Sequence, residues 1–425
     1  MNAPDPHLVP LRPVVHDPRP CPVCAAPDTA VRAVHFPGIH IMAERHCAAC
    51  GASFMQDLPV GFAVDHPMAF ELGTGRLYQE DARLDWIYKP LVQGYRAPDH
   101  GPVRVERTVF RAHRRVVLLN TLDFLYGHVL LKLYNAAHHL RRHPDLGLVL
   151  IVPRNFRWLV PDGTAEVWTV DLGLGGMPGW HTAIDTFVQD QLPRFEEVFL
   201  GRGYAHPEFA PVRIERFTGT PAFPLAEFDS RPRHVTFVVR EDRLWFAGPL
   251  HKLAYRAAGA LGLKGALGRC FVAGQDRLVR RTMKAIRRTL PDVRFTVVGM
   301  GRPGGLGHLA TDLRTIAIDE QVERGWVRAY ANSQVVVGVH GSNMLLPTAH
   351  AAGCVEILPH DRTGNIVQDI SVRWHDRMQL FLYRFVDEFA GPRAVARHVT
   401  AMFTEFTNFH RSHRLRGFAG EEAGG

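Results

Sequence analysis

The alternation of apolar and polar positions changes rhythm along the chain. From about residue 111, short apolar runs alternate with stretches of helical spacing. Residues 115–119, 146–152 and 166–170 read as buried strands, with a loop over 120–128 and an amphipathic helix over 129–142. Strand–helix–strand spacing predicts parallel strands with helices on the sheet faces. A proline-rich stretch over 221–232 reads as a domain joint. A second alternating unit follows, with strands predicted over 234–240, 294–298, 315–318, 334–339 and 354–358. Its helices are predicted over 275–290, 320–333 and 344–352. In the first of these, Leu278, Val279, Met283, Ile286 and Leu290 share one face, and in the second so do Val322, Trp326, Val327 and Tyr330.

The predicted fold is therefore α/β, with two Rossmann-like domains over 111–230 and 231–375. Residues 1–19 are proline-rich and expected to be a mobile tail. Residues 20–56 hold four cysteines in two pairs, 57–110 read as a connector, and 376–425 as a helical segment. In such sheets ligands bind outside the carboxyl ends of the strands. Both the 123–128 loop and the 340–343 loop sit at such ends, and a cleft between the two domains is expected.

Composition narrows the class. With 425 residues, 46% of them hydrophobic and 22% charged, the chain is globular rather than disordered. Only five of the 50 basic residues are lysine, so the net charge of +8 is carried by arginine. Arginine suits bidentate contacts to phosphate or carboxylate. No secretory signal and no apolar run of about 18 residues is evident, so the expected location is cytoplasmic.

Cys21-x-x-Cys24 and Cys47-x-x-Cys50-Gly51 form the strongest motif. Four thiolates on two turns suit tetrahedral Zn²⁺ with no open position, which makes the expected ion structural and the module zinc-ribbon-like. His340-Gly-Ser-Asn343 follows an apolar run and precedes a helix, an arrangement that presents backbone N–H groups to a phosphate. Arg240 and Arg243 follow another strand and are candidates to clamp a diphosphate. Glu356 interrupts an apolar strand, where a carboxylate needs a partner, either a sugar hydroxyl or solvent. Gly299 to Gly307 is glycine-rich, but Pro303 and the lack of a following helix argue against a dinucleotide fingerprint and for a loop at the cleft rim. His138, His139 and His143 share a helix without a flanking carboxylate, and read as a solvated face.

The segment 234–370 resembles the carboxyl-terminal half of glycosyltransferases of the GT-B fold, and in particular glycosyltransferase family 61. The likeness rests on Val335–Val339, His340-Gly341, Asn343, and Val355-Glu356-Ile357, with Arg240 earlier in the right order. Ser342 and Pro347 depart from the family's pattern, and a zinc module is not one of its features. The resemblance implies that Arg240 and the loop His340, Gly341, Ser342 and Asn343 hold the diphosphate of a nucleotide-sugar donor, and the placement of Arg243 and Glu356 adds them as candidate substrate contacts. The acceptor, whether glycan, protein or small molecule, would lie against the first domain, with Asp123 or His128 as base. No Asp-x-Asp pair offers a catalytic divalent site, which fits a metal-independent transfer. The rival reading is a non-catalytic zinc-ribbon protein that binds nucleic acid. It needs a continuous basic stripe, whereas these arginines are scattered among acids.

Overall fold

The computed structural model describes residues 5–27, 29–79, 81–207, 212–366 and 377–413. The chain divides into two compact units, Met1–Ala210 and Pro211–Gly425. Among the described residues no helix is long and apolar enough to cross a membrane.

The first unit holds a six-stranded sheet in the order Leu8–Arg12, Glu197–Gly201, Arg115–Asn120, Gly147–Pro153, Glu166–Val170, Val105–Val109. The inner four strands are parallel and both edge strands antiparallel to their neighbours. Three of the inner strands, Arg115–Asn120, Gly147–Pro153 and Glu166–Val170, are buried on both faces, which is why they read as near-continuous apolar runs. The fourth, Glu197–Gly201, is half-buried at Glu197 and Phe199 and was not expected from the sequence. Helix Tyr126–Arg142 connects the first two parallel strands.

The amino terminus departs from the expected tail. Leu8–Arg12 is an edge strand in which Val9 and Leu11 alternate inward to the core. Pro10 is tolerated because an edge strand needs fewer backbone donors. The alternation was visible in the sequence, but the surrounding prolines masked it.

The cysteine region is also larger than 20–56. A five-stranded antiparallel sheet runs Ala30–His35, Met42–His46, Ser53–Asp57, Ala69–Glu71, Leu77–Tyr78. Its last two strands come from the expected connector. Helix Asp85–Arg96 covers it, packing Ile87, Tyr88 and Leu91 on Met42, Met55 and Phe70.

The second unit is a six-stranded, wholly parallel sheet. Its order is Thr311–Asp312, Arg294–Val298, His234–Val238, Val335–Val339, Gly353–Leu358, Tyr383–Asp387. Counted along the chain, that order is third, second, first, fourth, fifth, sixth. The strand expected over 315–318 is instead an exposed segment with a single bridge from Thr315 to Met300, and the third strand is Thr311–Asp312. Residues 377–413 are not purely helical, since Tyr383–Asp387 closes the sheet edge before helix Pro392–His413. The prolines of 221–232 lie within this unit rather than at its border. Phe223 N donates to His350 O at 2.7 Å, and Phe228 stacks on Phe406.

Candidate functional site

The strand order of the second unit reverses between His234–Val238 and Val335–Val339, which pair directly. A reversal point leaves a crevice at the carboxyl ends, because the flanking connections depart to opposite faces. Arg240 and Arg243 leave the first of these strands and His340-Gly-Ser-Asn343 the second. Strand pairing therefore brings together two sequence-predicted groups about a hundred positions apart.

Local chemistry holds these loops close. Gly338 leaves room for Met344, whose Sδ an added Cβ would meet at 2.5 Å. Gly341 adopts a φ of 147° that disfavours other residues, and a Cβ there would lie 1.4 Å from Arg243 Nη1. That same nitrogen donates to His340 O at 2.9 Å. Glycine is thus needed twice at position 341, for its backbone angle and for the guanidinium that crosses it. Gly299 plays a similar part beside the first loop, where an added Cβ would meet Val239 O at 2.2 Å.

Arg240 is clamped by Asp242 through two hydrogen bonds of 2.8 and 2.6 Å. Burial raises the Asp242 carboxyl, but the Arg240 contacts outweigh it and hold the group below its ordinary value. Arg243 is different. Burial first, then the charges of Arg362 and Arg240, push its guanidinium down to about 10. It is a cation in a place that disfavours cations.

His340 and Glu356 lie beneath this loop rather than on it. Both are almost wholly buried, and His340 Nδ1 pairs with Glu356 Oε2 at 2.7 Å. The carboxylate that interrupts strand Gly353–Leu358 is therefore turned inward, away from solvent. It orients an imidazole whose backbone carbonyl in turn holds Arg243. The segment after His340 is a single turn, Ser342–Met344, followed by the six-residue helix Leu345–His350. So short a helix offers little dipole, and the charge of the crevice comes from side chains.

A cavity of about 260 Å³ opens here, lined by Arg243, Arg256, Arg362, Asp361, Lys252 and Glu388 among others. Lys252 pairs with Glu388, and Asp242 with Arg240. Among the described residues that line it, three arginines remain against one carboxylate, Asp361. A larger hollow of about 860 Å³ lies beside edge strand Thr311–Asp312, away from the reversal point and its charge cluster. Arg256, Arg362 and Lys252 were missed by sequence reasoning, being three basic residues among fifty. So was Gln275, which accepts from Trp245 N and donates to Arg240 O, pinning the first loop. Its signal was present, since Gln275 is a polar residue on the apolar face of helix Lys264–Thr289.

The corresponding loop of the first unit follows strand Arg115–Asn120. Asp123 is buried, lies 3.0 Å from Lys132 Nζ and accepts from Leu125 N at 3.0 Å. Burial raises its carboxyl, but the ammonium of Lys132 and then His128 hold it well below the usual carboxylate range. A carboxylate so stabilised is a poor proton acceptor. His128 Nδ1 lies 3.7 Å from it, with a slightly exposed ring. Sequence reasoning did not find His40 and Asp57, a buried pair at 2.7 Å in which burial pushes the Asp57 carboxyl up.

The four cysteines converge. Cys21 and Cys50 sulfurs lie 3.7 Å apart, as do those of Cys24 and Cys47, and all four fall within 4.8 Å of one another. Metal–sulfur bonds of about 2.3 Å in a tetrahedron would place sulfurs roughly 3.8 Å apart. A disulfide would need about 2 Å. The donor set and spacing fit a tetrahedral zinc ion. Each pair closes on a tight turn, with Ala25 N donating to Cys21 O and Gly51 N to Cys47 O, at positive φ of 60° and 74° respectively. The amides of Cys50 and Ala49 bring the Cys47 thiol down to about 7, although burial opposes them.

No family model matches the chain, and no curated protein sequence matches it. Among solved structures it is similar to the E. coli ADP-heptose LPS heptosyltransferase II at 10% identity. That match has a TM-score of 0.38 and covers 69% of this chain and 99% of that one. A likeness of that size carries no inference about function.

Proposed function

We propose that the chain is a glycosyltransferase of the GT-B kind that binds a nucleotide-sugar donor through its diphosphate at the reversal point of the second unit. The observation that carries this reading is Arg243, half-buried beside Arg362 and Arg240 and held over Gly341 by the His340 carbonyl. A cation placed so gains most from a multiply charged anion, and diphosphate supplies one with geometry suited to arginine. The family 61 resemblance of 234–370 supports the same ligand. In this reading Arg243 and Arg362 hold the diphosphate, while Arg240, Ser342 and Asn343 border it. His340 and Glu356 act as positioning residues.

Departure of a nucleoside diphosphate builds negative charge on the leaving oxygen, and fixed arginines stabilise it without a divalent ion. The proton of the acceptor hydroxyl needs a base. His128 is our candidate, with Asp123 orienting it rather than accepting the proton itself. The cysteine cluster holds zinc as a structural ion, with four protein ligands and no vacancy for substrate.

A thermal-shift panel of nucleoside diphosphates, nucleotide sugars, S-adenosylmethionine and single-stranded nucleic acid tests the reading. Nucleotide sugars and their diphosphates should raise the melting temperature of the wild type and not that of Arg243→Ala. A rise with nucleic acid alone would place the chain among nucleic-acid binders instead.

A further inference from the structure

The helix Tyr126–Arg142 ends in an arrangement that differs from a solvated histidine face. His139 is 1% exposed, and among the described residues neither of its ring nitrogens has a hydrogen-bond partner. A buried imidazole with no partner costs free energy, so such groups call for an explanation. The next turn carries His143, whose ring stacks on that of His139 at 5.9 Å. His138, His139 and His143 each offer a ring nitrogen, and these nitrogens lie within 4.8 Å of one another. Asp5, just ahead of strand Leu8–Arg12, places Oδ2 3.2 Å from His143 Nε2. On the other side, a Cβ at Gly201 would meet His139 Nε2 at 2.7 Å, so that glycine makes room for the ring.

We propose that His138, His139 and His143, with Asp5, form a second metal site for a first-row divalent transition metal such as Zn²⁺, independent of the cysteine cluster. Two histidines at i and i+4 share a helix face and can ligate one ion, the spacing used by helical zinc sites. Imidazole nitrogen with one carboxylate suits Zn²⁺, Ni²⁺, Co²⁺ or Cu²⁺ and does not suit Mg²⁺ or Ca²⁺. Metal–nitrogen bonds of about 2.1 Å put tetrahedral nitrogens roughly 3.4 Å apart. A modest rotation of His143, at the helix C-cap, closes the present spacing. Asp5 then serves as fourth ligand or fixes the His143 ring from behind. Either way the ion would tie the segment leading into the edge strand Leu8–Arg12 to the helix end, a staple for the amino terminus.

The test uses full-length protein loaded with Zn²⁺, passed into metal-free buffer and analysed for bound metal. Wild type should hold an equivalent beyond that of the cysteine site. His143→Ala, at a partly exposed position, should lose that equivalent and keep the other. Cys21→Ser/Cys47→Ser should do the reverse. Asp5→Asn, which keeps an oxygen to accept from His7 N, should weaken the same equivalent while preserving the fold. Co²⁺ added to wild type carrying a single equivalent of Zn²⁺, at the cysteine site, gives an independent readout, with visible bands of nitrogen ligation and no thiolate charge-transfer band. The proposal is overturned if wild type binds no second equivalent, or if His143→Ala and Asp5→Asn both retain it in full.

Discussion

The two sheets put a charged loop at the same topological place and treat it in opposite ways. In the first unit, the loop after Arg115–Asn120 buries Asp123 against Lys132, and the charges cancel inside the protein. In the second, the loop after His234–Val238 sets Arg243 near Arg240 and Arg362, and among the described residues only Arg240 of the three has a carboxylate to itself. One site is electrostatically closed and the other is open. A closed pair stabilises a fold only because both partners are present, whereas an open cluster costs stability unless a ligand completes it. Strained electrostatics therefore separates a loop that awaits an anion from one whose buried charge is already met.

The largest effect should come from opening the closed pair. Lys132→Met leaves the buried Asp123 carboxylate without its cation and should cost about 3–5 kcal/mol in denaturant unfolding. If Lys132→Met unfolds like wild type, the pair is not what holds that loop. The same pair predicts a pH dependence. The folded carboxyl of Asp123 lies below its unfolded value of about 3.9, so its stabilisation is present above that pH. It is lost as the pH falls further through the folded value. Acid unfolding curves of wild type and Asp123→Asn should converge in that range.

Next comes the open cluster. Arg243→Ala removes charge-assisted contacts worth about 1.5–3 kcal/mol and should weaken nucleoside-diphosphate binding roughly 10- to 100-fold by calorimetry. The melting temperature of the free protein should hold or rise, since an unfavourable cation is gone. A clear fall would mean that Arg243 is structural. Gly341→Ala should give a loss of about tenfold, because its Cβ displaces Arg243 while the sheet persists. Arg240→Ala should cost least, about threefold, its charge being already met by Asp242. If Arg240 matters more than Arg243, the roles drawn for the two are reversed.

Much of the α/β rhythm was legible. The central strands of both sheets are apolar because they are buried on both faces, and their helices carry a periodic apolar stripe. The cysteine pairs were legible because two ligands at fixed spacing on one turn are a local property. Glu356 was visible as an anomaly, a carboxylate in an apolar strand, though its partner was not. The edge strands Leu8–Arg12 and Tyr383–Asp387 were missed, since an edge strand buries one row of side chains and carries a weak pattern.

What the amino-acid order determined by itself was the local elements and the chemistry placed at their ends, from Cys21 to Asn343. Only the tertiary structure decided the rest. Pairing of Val235 with Val335 brought Arg243 onto Gly341, pairing of Leu8 with Gly201 brought Asp5 toward His143, and burial turned His139 inward. Periodicity is set by neighbours a few positions apart. Which strand lies beside which is set by how distant apolar faces exclude water together, and no short window of sequence contains that choice.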